Sequence, residues 1–197
     1  MTLPDVNPEQ RAAILHERGP LLILAGAGSG KTRVITHRIA HLLRQGVPAD
    51  RILAVTFTNK AAGEMRHRVS ELAPVNPAAA WIATFHAASA RLLRREAGRV
   101  GLTADFVIYD DDDQKKLINQ ILRERSITDK TPAELRVLFD QLNNRGLAVE
   151  DTRGDEGWDD VARRVFQEYR RRMRRANAVD FGDLIVLALQ VVKEDAT

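Results

Sequence analysis

The chain contains no cysteine, which excludes disulfides, cysteine-bound zinc and a thiol nucleophile. It has no apolar run near the ~20 residues that a membrane-spanning helix needs. The opening residues Met1-Thr2-Leu3-Pro4-Asp5 carry neither the basic region nor the apolar core of a secretory signal. No internal repeat or low-complexity tract is visible. Together these absences give the expectation of a soluble, cytoplasmic protein. Charge of one sign barely prevails: 30 basic residues against 27 acidic ones leave +3, weak support for a polyanionic partner. The distribution says more, since seven arginines fall between positions 163 and 175 while 109–113 is an acidic knot. At 197 residues, 44% apolar and 29% charged, the chain can bury one full core, or one core plus a small subdomain.

The sharpest local pattern is Ala25-Gly26-Ala27-Gly28-Ser29-Gly30-Lys31-Thr32, directly after the apolar run Leu21-Leu22-Ile23-Leu24. A buried strand that breaks into a glycine-rich loop ending in Lys-Thr is the pattern of a phosphate-binding P-loop. The glycines remove side chains, so successive backbone N–H groups can turn inward on phosphates. The helix that starts at the Lys-Thr pair points its positive end at the same charge. In this reading Lys31 supplies a point charge to the outer phosphates, and the Thr32 hydroxyl ligates Mg²⁺. The pattern ordinarily opens with glycine, and here it opens with Ala25. Binding of ATP or GTP is the resulting expectation; a chance glycine-rich turn is the bland alternative.

Asn7-Pro8-Glu9-Gln10 reads as a helix start, with Asn7 as N-cap, Pro8 at the first helical position and Gln10 three residues after the cap. That helix is expected to stop at Gly19-Pro20. A strand at 21–24, the loop, and a helix reaching Gly46 follow, with Val34, Ile35, Ile39, Leu42 and Leu43 inward. Next come a strand at 52–56, a helix capped by Thr58 at 59–72, a turn at 74–77, a strand at 81–84 and a helix at about 86–96. Strands and helices alternating in this order are the signature of a parallel sheet flanked by helices. After Gly101 the texture becomes helical. One short apolar segment at 106–109 precedes a helix between 110 and 125 and another from the capping box at Thr131 and Glu134 to Gly146. An acidic loop at 149–157, a basic helix at 158–176 and an apolar helix at 180–193 complete the chain. A domain change is placed near Asp105 and a return near Ala178.

Two strand-to-helix junctions carry polar groups where parallel sheets bind ligands. The first, Val55-Thr56-Phe57-Thr58-Asn59-Lys60, offers Phe57 to stack a base, and Thr58, Asn59 and a helix N-terminus to hold a phosphate. The alternative is Phe57 in the core and Asn59 as a turn residue. Thr84-Phe85-His86 repeats the logic, with His86 either against a nucleic-acid backbone or an ordinary surface residue. In Asp180-Phe181-Gly182-Asp183-Leu184 the carboxylates read as a metal or catalytic pair or, preferably, as a helix cap, and Phe181 as an exposed stacking aromatic. The arginines of 163–175 point several ways around a helix, so a solvated face is the default, with phosphate contact open to some.

Taken in order, Asn7-Pro8-Glu9-Gln10, the loop at 25–32, Ala-Val-Thr-Phe-Thr-Asn-Lys-Ala-Ala at 54–62, Thr-Phe-His at 84–86 and Val-Asp-Phe-Gly-Asp-Leu at 179–184 make a five-motif series. With that series the chain resembles, over essentially its whole length, the UvrD/Rep/PcrA helicases of superfamily 1. Alanine commonly opens the P-loop of that family. The resemblance implies an α/β fold: a P-loop NTPase with an incomplete RecA-like parallel sheet and an inserted, mostly helical subdomain. Residues 1–104 would be motor domain 1A, 105–177 the insertion 1B, and 178–197 the return to 1A. It also implies an ATP-driven motor moving 3′ to 5′ on single-stranded DNA in repair or replication. Gln10 would read the adenine edge and Arg38 help hold the nucleotide. The nucleotide-binding set is then Gln10, Ala25, Gly26, Ala27, Gly28, Ser29, Gly30, Lys31, Thr32, Arg33 and Arg38, with Lys31 and Thr32 also catalytic and Thr32 the Mg²⁺ ligand. Phe57, Thr58, Asn59, Thr84, His86 and Phe181 would face the DNA strand, and 1B would pack beside single strand and duplex at a junction.

That family continues, shortly after a segment like 184–193, with a strand ending in Asp-Glu-x-Gln-Asp, whose carboxylates bind Mg²⁺ and position the attacking water. The motif does not occur in this sequence, nor does a second motor domain. Phosphoryl transfer rests on positioning and charge stabilisation, so the expectation is nucleotide binding without unwinding and without most of the ATPase activity. The strand at 21–24 would also lack a neighbour, which predicts a partly opened sheet, self-association through its edge, or a marginally stable fragment. Two other readings stay open: a non-hydrolysing nucleotide or single-strand binding module, and a piece of a helicase-nuclease subunit.

Overall fold

The computed structural model describes residues 6–73, 80–146, 149–152 and 154–195. The chain divides into two compact units, Met1–Ala88 and Ser89–Thr197. The turn expected at 74–77 lies outside the described residues.

In the first unit, α1 (Pro8–Leu15) starts on the expected capping box: Gln10 N–H donates to Asn7 Oδ1 at 2.8 Å, and Asn7 N–H to Gln10 Oε1 at 3.1 Å. It stops at Leu15 rather than at Gly19-Pro20. The guanidinium of Arg38 explains the earlier end, because it donates to the carbonyls of Ala13, Ile14 and His16, groups that a helix C-terminus leaves without partners. Helix α2 (Lys31–Arg44) buries Val34, Ile39 and Leu43. Leu42 packs half-buried beside them, but Ile35, a step of about 100° around the helix from Val34, is exposed instead of inward. Strand β1 (Leu53–Thr56), helix α3 (Asn59–Leu72) and strand β2 (Trp81–Thr84) follow close to expectation. β1 and β2 pair in parallel, with Leu53 opposite Trp81 and Thr56 opposite Thr84. Ile39, Leu43, Met65, Val69 and Ile82 form the core between the helices and this sheet, each burial worth roughly 1.5–3 kcal/mol.

The expected buried strand at 21–24 is a correction. These residues form no strand and pair with none among the described residues, and Leu22 and Leu24 are 81% and 86% exposed. An extended segment becomes a strand only when a neighbour takes its N–H and C=O groups and a layer covers its side chains. Here it has neither. The expected single sheet is likewise seen as two separate two-stranded parallel sheets among the described residues.

Helix α4 (Phe85–Arg95) leads into the second unit. There β3 (Val107–Tyr109) precedes α5 (Asp111–Glu124), capped by Asp110, which accepts from the N–H groups of Asp112 and Asp113 at 2.9 Å each. Helix α6 (Pro132–Arg145) starts on the Thr131–Glu134 capping box. A 3₁₀ turn at Val149–Thr152 falls in the expected acidic loop, and α7 (Asp160–Arg175) follows. Strand β4 (Ala178–Asp180) was not expected. Its three residues are too few to show a period, and it exists by pairing in parallel with β3, Val107 opposite Ala178. Helix α8 (Phe181–Asp195) comes last. Phe139 centres the packing of α5, α6 and α7, with the rings of Phe166 and Tyr169 at 4.8 and 5.3 Å. A second cluster joins Leu93, Phe106, Val179, Leu184 and Val191. Among the described residues no helix is long and apolar enough to cross a membrane.

Candidate nucleotide and nucleic-acid site

The loop from Ala25 to Gly30 is folded on itself. Ser29 Oγ donates to the Gly26 carbonyl at 2.7 Å, and Lys31 Nζ to the carbonyls of Ala25 and Gly26 at 2.8 and 2.6 Å. Gly28 and Gly30 take φ of +76° and +83°, a conformation that a Cβ strains, so the sequence needs glycine at both. Gly30 is also the N-cap of α2, whose first backbone bond runs from Val34 N–H to Gly30 O. The amides ahead of it in the first turn therefore have no intrahelical acceptor, which is the chemistry that binds an anion. Lys31 and Thr32 are exposed at this end, and Ala27 is exposed within the loop.

Gln10 reaches the loop from α1: its Nε2 donates to the Ser29 carbonyl at 2.9 Å. This brings the Gln10 side chain to the loop at 25–32. Arg38 donates to the Ala13 and Ile14 carbonyls at the end of α1, at 3.2 and 3.4 Å. Arg33 is half-buried, and its carbonyl bonds with Thr36 Oγ1 at 2.9 Å and His37 Nδ1 at 2.8 Å.

The register of β1 and β2 brings the two other junctions together. With Thr56 opposite Thr84 in a parallel pair, Phe57 and Phe85 leave the same end of the sheet, and their rings lie 5.6 Å apart at 50°. Phe57 is 91% exposed, so its reading as a core residue does not hold. Thr58 Oγ1 accepts from Ala61 N–H at 3.1 Å and caps α3, while Asn59 opens that helix, exposed. Thr84 does the same for α4, accepting from Ala87 N–H at 3.2 Å, and His86 is exposed one turn position on. Phe85 is the residue the sequence reading passed over. Its place between Thr84 and His86 was the available signal, and the strand register makes it the partner of Phe57.

Phe181 belongs to the second unit, at the start of α8, and is 46% exposed. The residues around it form a buried polar network. Asp180 Oδ1 accepts from Asp183 N–H at 2.8 Å, and Asp183 Oδ2 accepts from Asp180 N–H at 3.3 Å, a reciprocal cap as preferred from sequence. Asn143 Nδ2 donates to Asp180 Oδ1 at 3.4 Å, and Arg170 pairs with Asp183. Burial, and then the charge of Asp183, pushes Asp180 up to about 6.

The chain is 45% identical over 192 residues to the ATP-dependent DNA helicase UvrD1 of Mycobacterium tuberculosis (strain ATCC 25618 / H37Rv), covering 93% of this chain and 25% of that protein. The UvrD1 of Mycobacterium leprae is 43% identical over 193 residues, with the same coverage. The ATP-dependent DNA helicase PcrA of Staphylococcus aureus (strain NCTC 8325 / PS 47) is 40% identical over 195 residues, covering 96% of this chain and 27% of its own. The chain thus spans about a quarter of the length of these relatives. Residues 6–197 match the UvrD/REP helicase N-terminal domain, and the chain belongs to that family.

Proposed function

We propose that the chain is the ATP-binding N-terminal part of a 3′–5′ DNA helicase, a translocase on single-stranded DNA acting in repair or replication in the cytoplasm. The observation that carries this reading is the hydrogen bond from Gln10 to the Ser29 carbonyl, which links the side chain suited to reading adenine to the glycine loop suited to holding phosphates. Residues 1–104 and 178–197 are read as RecA-like motor domain 1A, and 105–177 as the helical insertion 1B.

In this reading Lys31 exchanges the carbonyls of Ala25 and Gly26 for the outer phosphate oxygens of ATP, and the first-turn amides of α2 hold the same charge. Gly26 and Gly28 suit the phosphate, since a Cβ at either would meet nothing within 4 Å and the backbone there is open to approach. Thr32, an exposed hydroxyl in that first turn, is a hard oxygen donor of the kind Mg²⁺ takes. When bound there, Mg²⁺ neutralises charge on the phosphates. Gln10, Arg33 and Arg38 complete the nucleotide set. Phe57, Thr58, Asn59, Thr84, His86 and Phe181 face single-stranded DNA, with junctions engaged through 1B. The sequence holds no Asp-Glu-x-Gln-Asp motif, so the chain as given binds nucleotide without turnover comparable to a complete motor.

A titration of the chain with fluorescent ATP and with labelled single-stranded DNA tests the reading. Both ligands bind, and Lys31→Ala weakens ATP while sparing DNA. Unchanged ATP affinity in that variant takes the loop out of the nucleotide site.

A further inference from the structure

We propose a second DNA contact, on α7, in which Arg174 and Arg175 take the phosphodiester backbone in a basic cleft. It rests on the reading of the chain as a DNA-acting protein.

The cleft has a volume of about 510 Å³ and is lined by Arg170, Arg171, Arg174 and Arg175, by the buried Phe166, and by Glu150 as the carboxylate among its described residues. Positions 170 and 174 are four apart on the helix, as are 171 and 175, so the arginines stand in two adjacent rows one turn long. Two of them are committed within the protein: Arg170 pairs with Asp183 and Arg171 with Glu168. Arg174 and Arg175 are exposed, and among the described residues neither side chain has an ion-pair or hydrogen-bond partner.

Like charges four apart weaken a helix. The negative end of the helix dipole accounts for a cation in the last turn of α7. It does not account for two uncommitted guanidiniums walling the same cleft as two committed ones. Arginine presents a planar fork of donors that matches phosphate oxygens, and a row of such forks is what a polyanion binds. Among its described residues the lining holds no exposed aromatic for a base to stack on, so the contact reads backbone charge and not sequence.

The test is a salt series from about 50 to about 200 mM, measuring binding of a short fluorescein-labelled oligonucleotide, single-stranded or duplex, to the chain and to R174Q/R175Q. Each phosphate contact adds about 0.9 to the log–log salt slope on duplex, so the double variant flattens that slope by about 1.8. Across the series the unaltered chain then loses about 12-fold more affinity than the variant. R174K/R175K, which keeps the charge, retains most of the slope, and an unchanged thermal melt shows that both variants are folded. Flattening in the duplex arm alone assigns the cleft to duplex, and flattening in both arms to either form of the backbone. If the Gln variant binds DNA with an unchanged slope, the cleft proposal falls and the DNA reading stands. If the unaltered chain binds neither form, both fall together.

Discussion

The phenol of Tyr169 donates to Oδ2 of Asp180 at 3.1 Å, and both side chains are buried. This bond ties the middle of α7 to the end of β4, one residue before the exposed ring of Phe181. Burial, then the charges of Asp180 and Asp183, raises the Tyr169 phenol well above its usual range, so it stays protonated and remains a donor.

Tyr169→Phe keeps the ring packed against Phe139 and removes the donor alone. Leaving a buried carboxylate short of a partner costs about 1–3 kcal/mol, read as a lower urea midpoint at constant slope. A midpoint unchanged within error shows that Asn143 and the Asp183 amide satisfy Asp180 without the phenol.

Asp180 makes stability depend on pH in one direction. The unfolded carboxyl ionises near 3.8, and the folded one near 6. Between those values the folded state keeps a proton that the unfolded state has released, so raising the pH favours unfolding. The stability of the unaltered chain relative to Asp180→Asn therefore falls as pH rises from about 4 to about 7. Urea melts of both across that range check it, and a constant difference refutes the buried-carboxylate account.

Glu168 acts with the opposite sign. Hydrogen bonds from Arg171 and then Arg172 lower it from 4.5 to about 2, within a network that also takes in Arg125 and, through Arg172, Glu124. The unfolded chain takes up its proton first on acidification. The stabilisation is therefore full above about 4.5 and disappears as pH falls towards 2. Glu168→Gln is expected to be less stable than the unaltered chain near pH 6, with the gap in thermal melts shrinking below pH 4.5 and closing as pH falls through about 2. A gap that persists at the acid end assigns the effect to packing of the side chain.

Phe57→Ala removes an exposed ring and should leave the melting temperature within error. If the ring stacks a base, single-strand affinity falls by ~1–3 kcal/mol, measured by fluorescence anisotropy. Phe85→Ala is expected to behave in the same way, since the two rings form one platform. Unchanged affinity in both variants removes this sheet end from the DNA path.

The sequence by itself determined everything whose causes lie within a few residues. The caps at Asn7, Thr58, Asp110 and Thr131 each join a side chain to an amide two or three positions on, and all four start helices where read. The glycines at 28 and 30 likewise follow from backbone sterics alone. Tertiary structure decided the rest, because strand pairing and burial depend on groups remote in the chain. The run at 21–24 has strand composition but no ladder partner among the described residues, while Ala178–Asp180, with hardly any signal, is a strand because Val107–Tyr109 lies beside it. Phe85 became the partner of Phe57 only through the register of β1 and β2. Asp180, an ordinary cap by sequence, became a carboxyl raised to about 6 because helices α6, α7 and α8 close over it and exclude the water that would stabilise its charge.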